Sequence, residues 1–198
     1  MRRVPRPAGP TARPNSGRPA RVLTKTGDVI AGVGPDQWHL PTPCPDYDVT
    51  ALVDHMTGWI QVFDAGSNGR VFEGDASAYH AGPDAAAEFR ASAAGVVAGW
   101  EAHGLDRPVR TSGGEMPGPM VFNMTVMEYL AHGWDLAVAT GHAPPYTDEE
   151  AADALARAET TLPPEYQGEG MPFGAIVAVD PDAPALSRFV AFLGRRLA

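Results

Sequence analysis

Three polar side chains interrupt the most apolar stretch of the sequence, and their spacing suits metal chemistry. Glu128, His132 and Asp135 lie within residues 120–138, where most other residues are apolar. At positions i, i+4 and i+7 of a helix they lie one above another on a single face. A carboxylate and an imidazole one turn apart can coordinate the same ion, if that ion is about the size of zinc. A buried network of ion pairs and hydrogen bonds is the other interpretation, because unpaired polar groups in a core are costly.

Asp135 has a different expected role from the other two side chains. We assign it to the catalytic group, as a carboxylate that orients a ligand or acts as a loose general base, and not as a fourth metal ligand. A purely structural role, in which Asp135 caps a neighbouring backbone group, is the alternative.

Two ligands do not make a site, and His55 is the best placed of the remaining histidines. It lies about 110° from the centre of the apolar stripe of the second predicted helix, which points it toward a neighbouring helix. The weaker candidates lie near Pro or Gly in expected loops: His39, His80, His103 and His142. The sequence therefore predicts a site of His55, Glu128 and His132 with an open position, as in catalytic metal sites. An ordinary, partly buried histidine at position 55 is the alternative.

The single cysteine, Cys44, excludes an intramolecular disulfide and a cysteine-rich zinc knuckle. Cys44 lies between prolines with no cationic neighbour to lower its pKa, which favours a small packing residue over a nucleophile. The sparing use of cysteine indicates a reducing compartment. No run approaches the roughly 18 apolar residues that a membrane helix needs. We expect a cytoplasmic protein that does not bind membranes.

Helices must position these side chains, and hydrophobic periodicity predicts four or more of them, each of roughly 15–20 residues. Asp48 and Asp84 are the expected N-caps of the second and third helices, and Thr147 forms a capping box with Glu150 at the fifth. Pro119 is expected to open the long fourth helix, which carries the polar stripe.

The remaining segments are loops or short elements. A Gly/Pro-rich loop is expected over 113–119, and residues 184–195 have the pattern of a last amphipathic helix. Residues 173–179 allow a short extended segment. Because no other strand periodicity is present, the sequence predicts an all-α bundle.

Charge divides the chain into two parts. The whole sequence has 15 basic and 24 acidic residues, a formal net charge of −9. Residues 1–21 hold six arginines and no acid, so residues 22–198 carry nine basic residues against all 24 acids, a net charge of −15. We expect residues 1–21 to be a disordered basic arm, with an anionic tether as the alternative, and residues 22–198 to be the folded domain. Its acidity argues against binding of nucleic acid.

Three blocks of the sequence resemble a known family when they are taken in order. They are residues 42–55 (TPCPDYDVTALVDH), 128–141 (EYLAHGWDLAVATG) and 183–195 (APALSRFVAFLGR). Together they are similar to the actinobacterial metal-binding proteins related to the N-terminal domain of mycothiol-dependent maleylpyruvate isomerase, in the DinB/YfiT-like superfamily. The resemblance covers about residues 22–196. It implies a DinB/YfiT-like four-helix bundle with extra short C-terminal elements, and a divalent metal held by His55, Glu128 and His132.

The resemblance also implies a function. It points to a metal-dependent enzyme that activates a low-molecular-weight thiol of the mycothiol type for transfer, conjugation or isomerisation of a small electrophile. Zinc is the expected metal, although nickel, iron and manganese also accept two histidines and a carboxylate. The expected partners are the thiol and the electrophile, and a homodimer is common in the superfamily. The isomerase has an additional C-terminal domain that helps form its active site, so the substrate of this chain stays open.

Two other classes of function remain open. One is a non-catalytic metal- or thiol-binding protein. The other is a metal-dependent hydrolase, which needs a general base near the metal, and Asp135 is the obvious carboxylate once Glu128 serves as a ligand.

Overall fold

Helices dominate the computed structural model, which describes residues 17–111, 114–171 and 173–197. The described α-helices are α1 (Gly17–Ala31), α2 (Val49–Ser67), α3 (Ala85–His103), α4 (Gly118–Ala139), α5 (Asp148–Thr161) and α6 (Ala185–Phe192). Short 3₁₀ turns occupy Ala76–Ala78 and Pro164–Tyr166. Within the described ranges, no helix combines the length and apolar character needed to cross a membrane.

Helices α1 to α4 form a bundle, and α5 and α6 extend it. α3 packs on α1 and α2, and α4 contacts both of those helices from the other side of the core. α5 packs on α4, and α6 packs on α5. The largest fully buried side chains of the core include Phe89, Trp100 and Tyr129. The all-α bundle with short C-terminal elements is therefore confirmed.

The predicted caps begin the helices that carry or support the site. Asp48 accepts the backbone N–H of Ala51, and Asp84 accepts that of Ala87. At α5, Thr147 and Glu150 form both hydrogen bonds of the capping box. Each cap satisfies backbone donors that the first turn of a helix leaves without a partner.

Helix α1 begins inside the segment that we assigned to the basic arm. Residues 17–21 form its first turn, while residues 1–16 lie outside the described part of the chain. Pro19 is buried in this turn, where a proline is tolerated because the first N–H groups of a helix have no partner within it. The basic, proline-rich composition therefore did not mark the start of helix α1.

A small hairpin replaces part of the expected loop before α4. Strands β1 (Pro108–Thr111) and β2 (Gly114–Pro117) pair antiparallel, with Val109 opposite Met116. Val109 is fully buried, and a Cβ on Gly66 of α2 would lie 2.7 Å from its side chain. Four-residue strands rich in Gly and Pro show no alternation in the sequence, so only this packing identifies them.

The chain turns back toward the bundle after α6. Gly194 has a φ of 87°, in the left-handed region that favours glycine. A Cβ at position 194 would lie 2.5 Å from the Cα of Gly174. After this turn, the N–H of Arg195 donates to the carbonyl of Val190 at 2.9 Å, and the Arg195 side chain is buried.

Candidate metal centre

The structure brings His55, Glu128 and His132 together at the interface between α2 and α4. Nε2 of His55 lies 2.7 Å from Oε1 of Glu128, and Nε2 of His132 lies 3.4 Å from the same oxygen. One ligand atom from each residue lies within 4.8 Å of the other two. Two imidazole nitrogens and one carboxylate oxygen form a donor set that divalent transition metals accept.

The second nitrogen of each imidazole also has a partner. Nδ1 of His55 lies 3.1 Å from the hydroxyl of Tyr47, and Nδ1 of His132 lies 3.0 Å from Oδ2 of Asp135. In metal sites, such partners fix the tautomer and the direction of the ring. The residues therefore fit a metal in their donor atoms and also in the groups behind those atoms.

Tyr47 reaches His55 from the proline-rich connector before α2. Residues 41 and 48 form an isolated antiparallel bridge, and the side chain of Thr42 donates to the carbonyl of Tyr47 at 2.8 Å. The N–H of Tyr47 donates to the carbonyl of Cys44 at 3.1 Å. These bonds hold the connector rigidly against the start of α2.

Asp135 is fully buried and bonded from two directions. Its Oδ1 and Oδ2 accept hydrogen bonds from Arg195 at 3.2 and 2.8 Å, and Oδ2 also faces His132. Nη1 of Arg195 donates to the carbonyl of Leu193. These contacts are those of a residue that positions His132, and they leave the carboxylate of Asp135 away from the pocket.

The surroundings lower the pKa of both carboxyl groups of the site, Glu128 and Asp135. Burial opposes the ionisation of Glu128, but His132 and the hydrogen bond from His55 outweigh it and lower its pKa to about 2. Burial likewise opposes the ionisation of Asp135, yet the hydrogen bond from His132 and the charge of Arg195 hold its pKa below the ordinary value. Both groups are therefore anions at neutral pH.

A second group of possible ligands overlaps the first. Ligand atoms of Cys44, His132 and Asp135 also lie within 4.8 Å of one another. Burial raises the pKa of the Cys44 thiol to about 11, and Asp135 is already engaged by Arg195. The group that contains His55 and Glu128 therefore suits a cation better than the group that contains Cys44.

An open pocket of about 560 Å³ lies over the first group. His55, Glu128 and His132 contribute to its lining, together with Cys44 and Tyr47 from the connector. A molecule in this pocket can therefore approach the three donor atoms.

Sequence reasoning missed two polar residues of the site, Tyr47 and Arg195. Tyr47 lies in a loop, and Arg195 lies 60 residues from Asp135 along the chain, so helical spacing relates neither to the site. The only sequence signal is that both fall within the blocks 42–55 and 183–195. His80 and His142, which we ranked lower, bond elsewhere, to Asp54 and Thr140.

Comparison with known proteins identifies related sequences. The sequence model described as the mycothiol maleylpyruvate isomerase N-terminal domain matches residues 20–137, a range that includes the three predicted ligands. The uncharacterized protein Rv0738 of Mycobacterium tuberculosis strain H37Rv is 30% identical over 171 residues, which cover 84% of this chain and 90% of that protein. The uncharacterized protein MT0763 of strain CDC 1551 matches equally well. No solved structure matches the chain. The matched domain has the DinB/YfiT-like helical fold, in agreement with the expected fold family.

Loss of Arg195 should destabilise the protein because it leaves the buried charge of Asp135 with His132 as its remaining partner. We expect Arg195→Leu to lower the free energy of unfolding by about 3–5 kcal/mol, measured by urea denaturation. The double variant Arg195→Leu/Asp135→Asn should recover part of that loss, because it removes both charges. Arg196→Leu, a change at the exposed neighbour, is the control and should cost less than about 0.5 kcal/mol. Equal losses for Arg195→Leu and the control would contradict the role assigned to the pair.

Proposed function

The chain belongs to the mycothiol maleylpyruvate isomerase N-terminal domain family, and we propose that it is a metal-dependent enzyme that activates a small thiol. His55, Glu128 and His132 hold the metal, zinc by preference. The thiol is of the mycothiol type and is used for transfer, conjugation or isomerisation of a small electrophile. The main support is the convergence of the three donor atoms beneath an open pocket.

A bound divalent cation supplies Lewis acidity that favours the thiolate form of a small thiol, and the thiolate is the attacking species. The residues of the chain prepare the site for that cation. Metal binding would require neutral imidazoles whose Nδ1 protons face Tyr47 and Asp135, so that Nε2 of each ring, which faces Glu128 in the structure, would be the donor atom. Arg195 in turn holds Asp135 in place.

Asp135 acts in this proposal as a positioning residue. It is 0% exposed and bonded to Arg195 and His132, so it has no free edge toward a molecule in the pocket. The same burial disfavours the hydrolase alternative, for which Asp135 was the obvious general base. A non-catalytic metal- or thiol-binding protein would bind both components but convert no electrophile.

Removal of any proposed ligand should abolish stoichiometric metal binding. We expect one zinc per chain in the unmodified protein after reconstitution and dialysis, measured by inductively coupled plasma mass spectrometry. His55→Ala, Glu128→Ala and His132→Ala should each lose most of it, because two remaining donors hold a cation weakly. His103→Ala, at an exposed residue in the last turn of α3, is the control. Full zinc content in the His132→Ala protein would refute the ligand assignment.

Binding of the thiol should be visible in the spectrum of the cobalt-substituted protein. We expect mycothiol to produce a thiolate-to-cobalt charge-transfer band that saturates at one thiol per metal, because the donor set leaves an open position. The band should form equally in the Cys44→Ser variant, which lacks the only protein thiol. An unchanged spectrum, with no heat in a calorimetric titration, would exclude thiol activation and leave a metal-binding protein or a hydrolase.

A further inference from the structure

The walls of the pocket above the candidate metal centre are largely apolar. α2 and α4 contribute Trp59, Phe63, Val121 and Met124, and the segment before α6 contributes Met171 and Phe173. Aromatic and methionine side chains offer polarisable, adaptable contacts to flat apolar molecules. Pockets of this kind bind most of a ligand's surface through apolar contact and orient it with a few polar groups.

The charged groups in the same walls are unfavourable for anions. Asp46 and Glu128 are carboxylates that line the pocket. Arg195 is the one Lys or Arg among the described lining residues, and each of its three guanidinium nitrogens donates to Asp135 or to the carbonyl of Leu193. Its charge is thus already balanced by a buried carboxylate.

We propose that the electrophile used at this site is an uncharged, apolar molecule, such as an aryl-substituted unsaturated carbonyl compound, and not a carboxylate. This inference rests on the proposed function, which makes the ligand an electrophile. The preference for an uncharged molecule is argued from the charges and the apolar walls of the pocket. A divalent charge at the centre is balanced by Glu128 and by the thiolate of the proposed cosubstrate. A carboxylate that enters the pocket would therefore lose hydration against the apolar walls without gaining an unbalanced cation, and it would also face the exposed carboxylate of Asp46.

This substrate class differs from the one in the family description. Maleylpyruvate is a dicarboxylate, and recognition of such an anion calls for arginine or lysine side chains that are free to form charge-assisted hydrogen bonds. Among the described residues, the pocket of this chain supplies one arginine, Arg195, whose charge is already balanced by Asp135.

A matched pair of probes tests the inference by binding and not by turnover. Cinnamamide and cinnamate share the ring and the double bond and differ in charge. We expect the full chain to bind cinnamamide at least about tenfold more tightly than cinnamate, because the carboxylate loses hydration without gaining a cationic partner. The measurement is isothermal titration calorimetry on the chain after dialysis against a chelator, so that no cation at the centre can bind the carboxylate.

Two variants connect the preference to the pocket. Met124→Lys adds a cation to the pocket wall and should strengthen cinnamate binding about tenfold, as expected for a desolvated charge pair. Val138→Lys adds the same charge to the same helix at a residue that is 38% exposed and lies outside the pocket lining. It should leave both affinities unchanged.

The binding results distinguish failure of this inference from failure of the proposed function. Equal or tighter binding of cinnamate to the chelator-treated chain, or no binding of cinnamamide to it, would overturn the inference. An identical gain for cinnamate in Met124→Lys and Val138→Lys would overturn it too, because the probe would then bind outside the pocket. The proposed function fails separately, by the absence of a thiolate band in the cobalt protein, and that result leaves the charge preference of the metal-free pocket intact.

Discussion

A carboxylate in the middle of a helix bundle is stable only when its charge is balanced, and Asp135 is balanced from two sides. Arg195 donates to both oxygens, and His132 faces one of them. Removing one partner of such a pair costs far more than the pair itself contributes. The bond therefore ties the chain after α6 to α4 at a point about two turns from Glu128 and about one turn from His132. The orientation of His132, and with it the candidate metal centre, depends on that bond.

The same constraint shapes the pocket. Because Asp135 engages the guanidinium of Arg195, the charge of this pocket-lining cation is already balanced by a buried carboxylate. Among the described lining residues, the other charged groups are the carboxylates of Glu128 and Asp46, and most of the rest are apolar. The buried ion pair of Asp135 and Arg195 thus orients the imidazole of His132 and also limits which ligands the pocket favours. A site built this way favours a cation at its floor and uncharged molecules above it.

The sequence predicts those parts of the site that follow from local periodicity. Glu128 and His132 share a face because they are one turn apart in a helix, and the position of His55 beside an apolar stripe directs it at a neighbour. The structure places these three side chains together. Tyr47 and Arg195 were not predicted. The connector before α2 places Tyr47 at the site and the left-handed turn at Gly194 places Arg195 there, and neither segment has a hydrophobic periodicity that the sequence reveals. The β1–β2 hairpin was not predicted for a similar reason, because the feature that identifies it is the burial of Val109 against α2.

Our central claim is that His55, Glu128 and His132 form the inner coordination sphere of a metal with room for an external thiol. X-ray absorption at the metal edge, recorded on the reconstituted full chain before and after addition of mycothiol, tests it most directly. Zinc–sulfur distances of about 2.3 Å are distinct from the roughly 2.0–2.2 Å of nitrogen and oxygen ligands. We predict only nitrogen and oxygen neighbours before the thiol is added and one sulfur neighbour afterwards, also in Cys44→Ser. A sulfur neighbour that is present before addition and absent from Cys44→Ser would instead assign the metal to Cys44, His132 and Asp135, and would contradict the claim.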